Sequence, residues 1–295
     1  MNYLVRATLA LSLVAGSFAV PVPAALGRGE NGEPGATNTL FVNGTTGSDG
    51  NSCQASTAAC RTIGAAVAKS RGQGTISVAS GTYAENLVLD NVNLAIVGAG
   101  SGTTAIDGGG SARTINWAPS TLGGSELSLS NITIQNGLSQ DGTGAGMYVN
   151  GDANLTLSGV VFSQNGNLNS NLATGFGGGL YFDGVRLTAT NVTFTGNSAN
   201  FGSGLFFATR NFGVQSTLTR VTFTSNLGGT GGGLYVFNIP ATTLKFTDVV
   251  FDGTNEGIIG DQIALCKAGV LLLSGVSILG GVSADFAPYG GPCSQ

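Results

Sequence analysis

Apolar and polar residues alternate along most of this chain in short bursts, and the bursts recur. Six segments of nine residues follow one template: "LSLSNITIQ" (127–135), "LTLSGVVFS" (155–163), "LTATNVTFT" (187–195), "STLTRVTFT" (216–224), "LKFTDVVFD" (244–252) and "LLLSGVSIL" (271–279). Their bulky apolar anchors are Ile134, Phe162, Phe194, Phe223, Phe251 and Ile278, separated by 28, 32, 29, 28 and 27 residues. Two residues earlier stand Ile132, Val160, Val192, Val221, Val249 and Val276, and five earlier Leu129, Leu157, Ala189, Leu218, Phe246 and Leu273. Four before each anchor is a hydroxyl: Ser130, Ser158, Thr190, Thr219, Thr247 or Ser274. Alternation with period two predicts strands, and the break between the hydroxyl and the Val or Ile predicts a tight bend joining two of them. A third strand is predicted where "GAGMYV" (144–149), "GGGLYF" (177–182), "GSGLFF" (202–207) and "GGGLYV" (231–236) follow.

Three short strands in each repeat of about 28 residues, with like residues at like positions, suit a chain wound into a parallel solenoid. Each turn then stacks at roughly 4.8 Å on the one before, so that Val covers Val and Phe covers Phe. Sandwiches and barrels also use many short strands, but the constant repeat length argues against them. "GTISVASGTYAENLVL" (74–89) and "NLAIVGAGSGTTAIDGGG" (93–110) supply the first two rungs of about eight. Before them, Ile63, Ala66 and Val67 share one face of a helix predicted over 62–70, placed to cap the open end of the tube.

The first residues read differently. Arg6, an apolar run from Ala7 to Ala19 and small residues before cleavage points after Ala19 or Ala24 make 1–24 a secretory signal peptide. Residues 25–39 read as a flexible linker and 40–295 as the β-helix domain, with no segment long and apolar enough to span a bilayer. The reading is of an exported monomer, extracellular or at the cell surface.

Composition agrees. Of 295 residues, 42% are hydrophobic and only 9% charged, with 50 Gly gathered at the repeat corners, which excludes a disordered or helical chain. A formal net charge of −4 argues against nucleic acid and anionic membranes as partners. Four Cys in an exported chain favour disulfides, Cys53 with Cys60 in one loop and Cys266 with Cys293 near the other end. Metal binding is the alternative use of such residues, but the chain has no His and no close Cys pair.

The run from "LFVNGTTGSDGNSCQASTAACRTIGAAVA" through "ISVASGTYAENLVL" to "LAIVGAGSGTTAIDGGG" resembles the N-terminal part of secreted bacterial right-handed parallel β-helix proteins of the pectate-lyase-like superfamily. Its Gly-Thr-Tyr-x-Glu-Asn element is similar to one in pectinesterases. The later rungs, Phe-x-x-Asn followed by Gly-Gly-x-apolar, are similar to the polymorphic outer membrane protein repeat of bacterial surface proteins. The resemblance implies a single-stranded right-handed parallel β-helix and, as one class, carbohydrate-active enzymes; one fold hosts many functions.

The catalytic parts of those enzymes are mostly missing. Polygalacturonase-like sites need a His, absent here, and no middle-rung counterpart of a pectinesterase site stands out. A pectate-lyase-like site would need acidic residues around calcium, the one cofactor implied and only under that reading, beside an Arg or Lys base. Three residues before each anchor come Asn131, Gly159, Asn191, Arg220, Asp248 and Gly275, so Asn191, Arg220 and Asp248 stack on successive rungs and are the catalytic candidates. The plainer reading is a surface Arg–Asp pair. Asp107, Asp183 and Asp252 sit near turns without forming a column dense enough for calcium.

Three further columns need weighing. Asn165, Asn197 and Asn226, with Asn136 and Asn255 near the same place, read as an amide ladder within a turn. If Leu180, Phe182, Leu234 and Val236 point inward, Tyr181 and Tyr235 point outward and are candidates to stack under a sugar. The Thr-rich strands suggest a hydroxyl plane for ice, which needs two adjacent outward columns; Thr193 and Thr222 are matched by Val161, Val250, Thr133 and Ser277, too mixed a column to serve. The reading that results is an adhesin-like scaffold that binds surface or extracellular glycans, with a polysaccharide lyase or hydrolase on an acidic, pectin-like polymer as the alternative.

Overall fold

The computed structural model describes residues 38–120, 124–167, 175–209, 214–237, 243–256, 262–266 and 270–278. The regions read as signal peptide and linker, and Cys293, lie outside these residues but for the linker's end at Asn38 and Thr39. Every strand pairing among the described residues is parallel, and the chain winds as a β-solenoid with three principal faces. The first face stacks Thr39–Val42, Gln73–Val78, Asn93–Gly98, Ser125–Ser130 and Ala153–Ser158, then the first halves of Arg186–Thr195 and Gln215–Thr224, then Thr243–Thr247 and Val270–Ser274. The second face runs from Gly81–Ala84 to Ser277–Ile278 through the second halves of the same two long strands. The third is a separate sheet of seven strands among the described residues, Leu87–Leu89 to Ile263–Cys266, slightly fewer than the eight rungs the repeat spacing predicts. A four-stranded sheet, Leu138–Ser139 to Leu227–Thr230, lies between the second and third faces in sequence.

The predicted register is the observed one. Ile134, Phe162, Phe194, Phe223, Phe251 and Ile278 pair rung to rung, and the phenylalanines stack with centroids 4.7–5.0 Å apart and planes within 8° of parallel. Such rings fill the tube with no gap between rungs, and each aromatic pair adds roughly 0.5–1.5 kcal/mol beyond the area it buries. The Leu129–Leu157–Ala189–Leu218–Phe246 and Ile132–Val160–Val192–Val221–Val249 columns are equally buried, in one continuous core.

Glycine enters where the third strand of a turn begins. Gly202 has φ +59°, and a Cβ on Gly204 would stand 2.6 Å from the carbonyl oxygen of Gly233 on the next turn. The chain can turn and approach its neighbour there only without a side chain.

Helix α1 (Ile63–Ser70) packs against Thr39–Val42 and Gln73–Val78, with Ile63 and Ala66 buried. Thr62 caps it by accepting from Ala65 N, and Glu85 adds its carboxylate, accepting from Ile63 N and Gly64 N at 2.8 Å each. Cys53 and Cys60 form a disulfide in the preceding loop. Among the described residues no helix is long and apolar enough to cross a membrane.

Candidate functional site

From the rung of Ser125–Ser130 onward, the bend between the first and second faces turns on a single left-handed residue. Asn131, Gly159, Asn191, Arg220, Asp248 and Gly275 all have φ between +52° and +64°. Left-handed backbone explains the residue choice: Gly adopts it freely, and Asn and Asp more readily than other residues. Arg220 is the exception, holding that conformation at a cost of roughly 1 kcal/mol. Its Nε donates to Asn191 Oδ1 at 2.6 Å, on the preceding turn. The surface ion pair with Asp248 read from the sequence is not formed, because the guanidinium turns the other way; the ion pair among the described residues is Arg113–Asp141. The catalytic candidates Asn191, Arg220 and Asp248 are thus adjacent and exposed, with the Arg220 side chain bonded among the described residues to Asn191 alone.

On the first face beside this bend, two rows of hydroxyls run parallel to the tube axis. One is the predicted row of Ser130, Ser158, Thr190, Thr219 and Thr247; the other is Ser128, Thr156, Thr188 and Thr217, continued by Lys245. The second row stands six residues before each anchor and recurs with the repeat. Rows two residues apart on a strand are about 6.6 Å apart, and successive rungs about 4.8 Å. All these side chains alternate with buried Leu, Ala or Phe and are half-buried or exposed. The hydroxyls of Thr156, Ser158, Thr188, Thr190, Thr217 and Thr219 make no hydrogen bond within the described protein. Along the far margin run Asn93, Glu126, Asn154 and Arg186. Arg186, Lys245 and the terminal nitrogens of Arg220 have no partner among the described residues, so this part of an acidic chain carries unpaired positive charge.

The third face carries an aromatic ladder. Tyr148, Tyr181, Phe206 and Tyr235 stack in sequence, with centroids 5.1, 5.0 and 5.5 Å apart and planes within 16°. Tyr181 and Tyr235 do alternate with the buried Leu180, Phe182, Leu234 and Val236, but outward is not exposed here. The rings of Phe201 and Phe206 cover Tyr235, which is 4% exposed and whose hydroxyl pKa burial pushes up. Because rungs repeat at ring-stacking distance, each ring face of Tyr181 is occupied by a neighbour, so a sugar meets the ladder's edges. At one end the Arg113 guanidinium lies 4.6 Å from the Tyr148 ring centroid.

The remaining polar groups are committed to structure. Asn165, Asn197, Asn226 and Asn255 are 0–3% exposed, and each Nδ2 of the first three donates to the next Oδ1 at 2.7–2.9 Å. The same amides donate to the carbonyls of Ile134, Phe162, Phe194 and Phe223. Asn136 is not in this ladder; it takes a left-handed bend, φ +51°, and bonds Asp107, while Gly137 N meets Asn165 Oδ1. The Gly-Thr-Tyr-x-Glu-Asn element is likewise architectural: the Tyr83 hydroxyl donates to Ala79 O, Glu85 caps α1, and Asn86 donates to the carbonyls of Gly108, Ala112 and Arg113.

The acids whose pKa moves are turn locks too. Burial pushes the Asp141 carboxyl up, but hydrogen bonds from Ser139, Arg113 and Thr143 outweigh it and hold the group well below the usual carboxylate range. Asp107 and Asp252 show the same balance, with burial opposed by Gln135, Gly109 and Asn136 in one and by Thr224 and Thr254 in the other. Such carboxylates stay ionised, unsuited to serve as general acids. Among the described residues no three His, Cys, Asp or Glu side chains converge into a metal site.

Fold and surface together define a parallel β-helix with an outward face of hydroxyls, amides and arginines. No protein-family model and no curated protein matches the chain. Among solved structures it is similar to the pectin methylesterase of Aspergillus niger in deglycosylated form, at 16% identity over 86% of this chain and 90% of that one, with a TM-score of 0.41. A superposition this loose carries nothing about the site or its chemistry.

Proposed function

We propose that this protein is an exported scaffold that binds an extended acidic glycan along its first face without turning it over. The carrying observation is the pair of uncommitted hydroxyl rows, on rungs flanked by Arg186, Arg220 and Lys245 with no ion-pair partner. Hydroxyls repeating along the axis suit a polymer that repeats along its own, and each contact adds a small increment that multiplies over rungs. Arginine supplies a planar fork for a sugar carboxylate or sulfate. Export and an oxidising compartment suit the Cys53–Cys60 disulfide and the leader-like start of the chain.

The test is affinity electrophoresis and calorimetry of the mature protein against acidic and neutral polysaccharides, with unsaturated products and reducing ends followed in parallel. Binding to acidic polymers that weakens with salt, without new ends, is the expected result. Turnover would favour the lyase or hydrolase reading and send attention to Asn191, Arg220 and Asp248. A second reading, an ordered water lattice on the same two rows, is favoured by their regular spacing; inhibition of ice recrystallisation without glycan affinity would select it.

A further inference from the structure

The positive charge on the first face is not lined up along it. By the strand register, Arg186, Arg220 and Lys245 stand on three successive rungs but in three different columns: the far margin, the bend and the second hydroxyl row. At about 3.3 Å per residue along a strand and about 4.8 Å per rung, their backbone positions lie roughly 11–17 Å apart. A polymer running along the axis therefore passes a single one of these cations in each column.

Two of those columns also carry an acid. Asp248 follows Arg220 on the next rung of the bend, and Glu126 stands two rungs before Arg186 on the margin. Both are exposed, and neither carboxylate has a partner among the described residues. The Asp248 carboxylate lies over Gly275 on the following rung, where a Cβ would collide with it, whereas Arg220 reaches back to Asn191. Opposite charges on neighbouring rungs thus turn away from each other, and the carboxylate and the terminal guanidinium nitrogens are both left to solvent.

One sugar unit extends about as far as one rung step. In a polymer with an acid on every sugar, the acid next to the one held by Arg220 therefore falls beside Asp248. Like charges one rung apart lie well within the screening length and repel. Where only every second sugar is acidic, the unit beside Asp248 is neutral and its hydroxyls donate to the carboxylate. Discrimination between ligands is carried as much by the group that repels the wrong one as by those that attract the right one.

We propose that Asp248 selects the charge density of the glycan, an inference that rests on the first face binding an acidic polymer. The preferred ligand carries one acid group for every two or more sugars, and a polyuronate charged on every sugar is the poorer one. Glu126 exerts the same repulsion more weakly, two rungs from the cation of its column.

The test is calorimetric titration of the mature protein with galacturonan oligosaccharides of one length, either fully ionised or with half their carboxyls capped as methyl esters. Hyaluronan oligosaccharides of matching length, with one carboxylate to two sugars, are a second sparsely charged probe. Wild type should bind the half-capped oligomer and hyaluronan more tightly than the fully ionised oligomer. Asp248→Asn keeps the side-chain shape and suits left-handed backbone. It should gain roughly fivefold in affinity for the fully ionised oligomer and distinctly less for the half-capped one, so that the two affinities converge. Tighter wild-type binding of the fully ionised oligomer, or an affinity ratio that Asp248→Asn leaves unchanged, would overturn the selection while leaving glycan binding in place. Silence toward these probes and toward acidic polysaccharides in general would overturn the glycan reading itself, and the selection with it.

Discussion

Two polar columns run along the later turns of this tube a few residues apart in sequence, and they have opposite fates. The Asn165–Asn197–Asn226–Asn255 column lies inside a turn, where every amide is bonded above, below and to a backbone carbonyl. The Asn131–Gly159–Asn191–Arg220–Asp248 column lies at the outer bend, where left-handed backbone selects the residue type and the side chains reach solvent. Repetition alone does not mark function in a solenoid. What matters is hydrogen-bonding capacity left over after the fold has taken its share.

The largest effect should come from cutting the inner column. Asn226→Ala removes the acceptor of Asn197 N and Nδ2 and the donors to Phe194 O and Asn255 Oδ1. Chemical unfolding should show a loss of about 4 kcal/mol, with glycan affinity retained wherever the variant is still folded. Next comes the helix that seals the first end: Glu85→Ala strips the carboxylate from Ile63 N and Gly64 N and should cost about 2 kcal/mol, read as a lower unfolding midpoint.

The outer column should respond with the opposite sign. Arg220→Gly relieves left-handed strain, so thermal unfolding should shift upward by up to about 1 kcal/mol in stability while affinity for acidic glycan falls several-fold. A variant that gains stability and loses binding is hard to explain by damage. Smallest is the pH effect of Asp141, a mostly exposed partner of Arg113, worth well under about 1 kcal/mol. Its folded pKa lies below the ordinary 3.8, so its contribution is present above that pH and is lost as pH falls below it. The stability gap between wild type and Asp141→Asn should accordingly narrow on acidification, and a gap that widens would contradict the assignment.

The strands, their register and the capping helix were legible because each depends on a pattern the sequence repeats: Phe on Phe, Val on Val, Ile63 with Ala66. The Asn ladder was legible for the same reason, except at its margin. There Asn136 sits one residue away from the ladder register, and only the backbone shows that it takes the bend while Gly137 takes the ladder position. For Tyr181 and Tyr235 alternation gave direction but not cover, because Phe201, which covers Tyr235, comes from a strand with no counterpart in the nine-residue template. The direction of Arg220 was likewise beyond a sequence, since Asn191 and Asp248 flank it symmetrically along the chain repeat.

The most direct test of this division is to measure polysaccharide affinity and unfolding free energy together for Asn226→Ala and for a face variant, Thr188→Val/Thr217→Val/Arg220→Gly. The account predicts a crossover: the first variant loses stability and keeps affinity, the second keeps stability and loses affinity. Undiminished affinity in the face variant, with wild-type protein shown to bind, would contradict the assignment of the binding site to the first face.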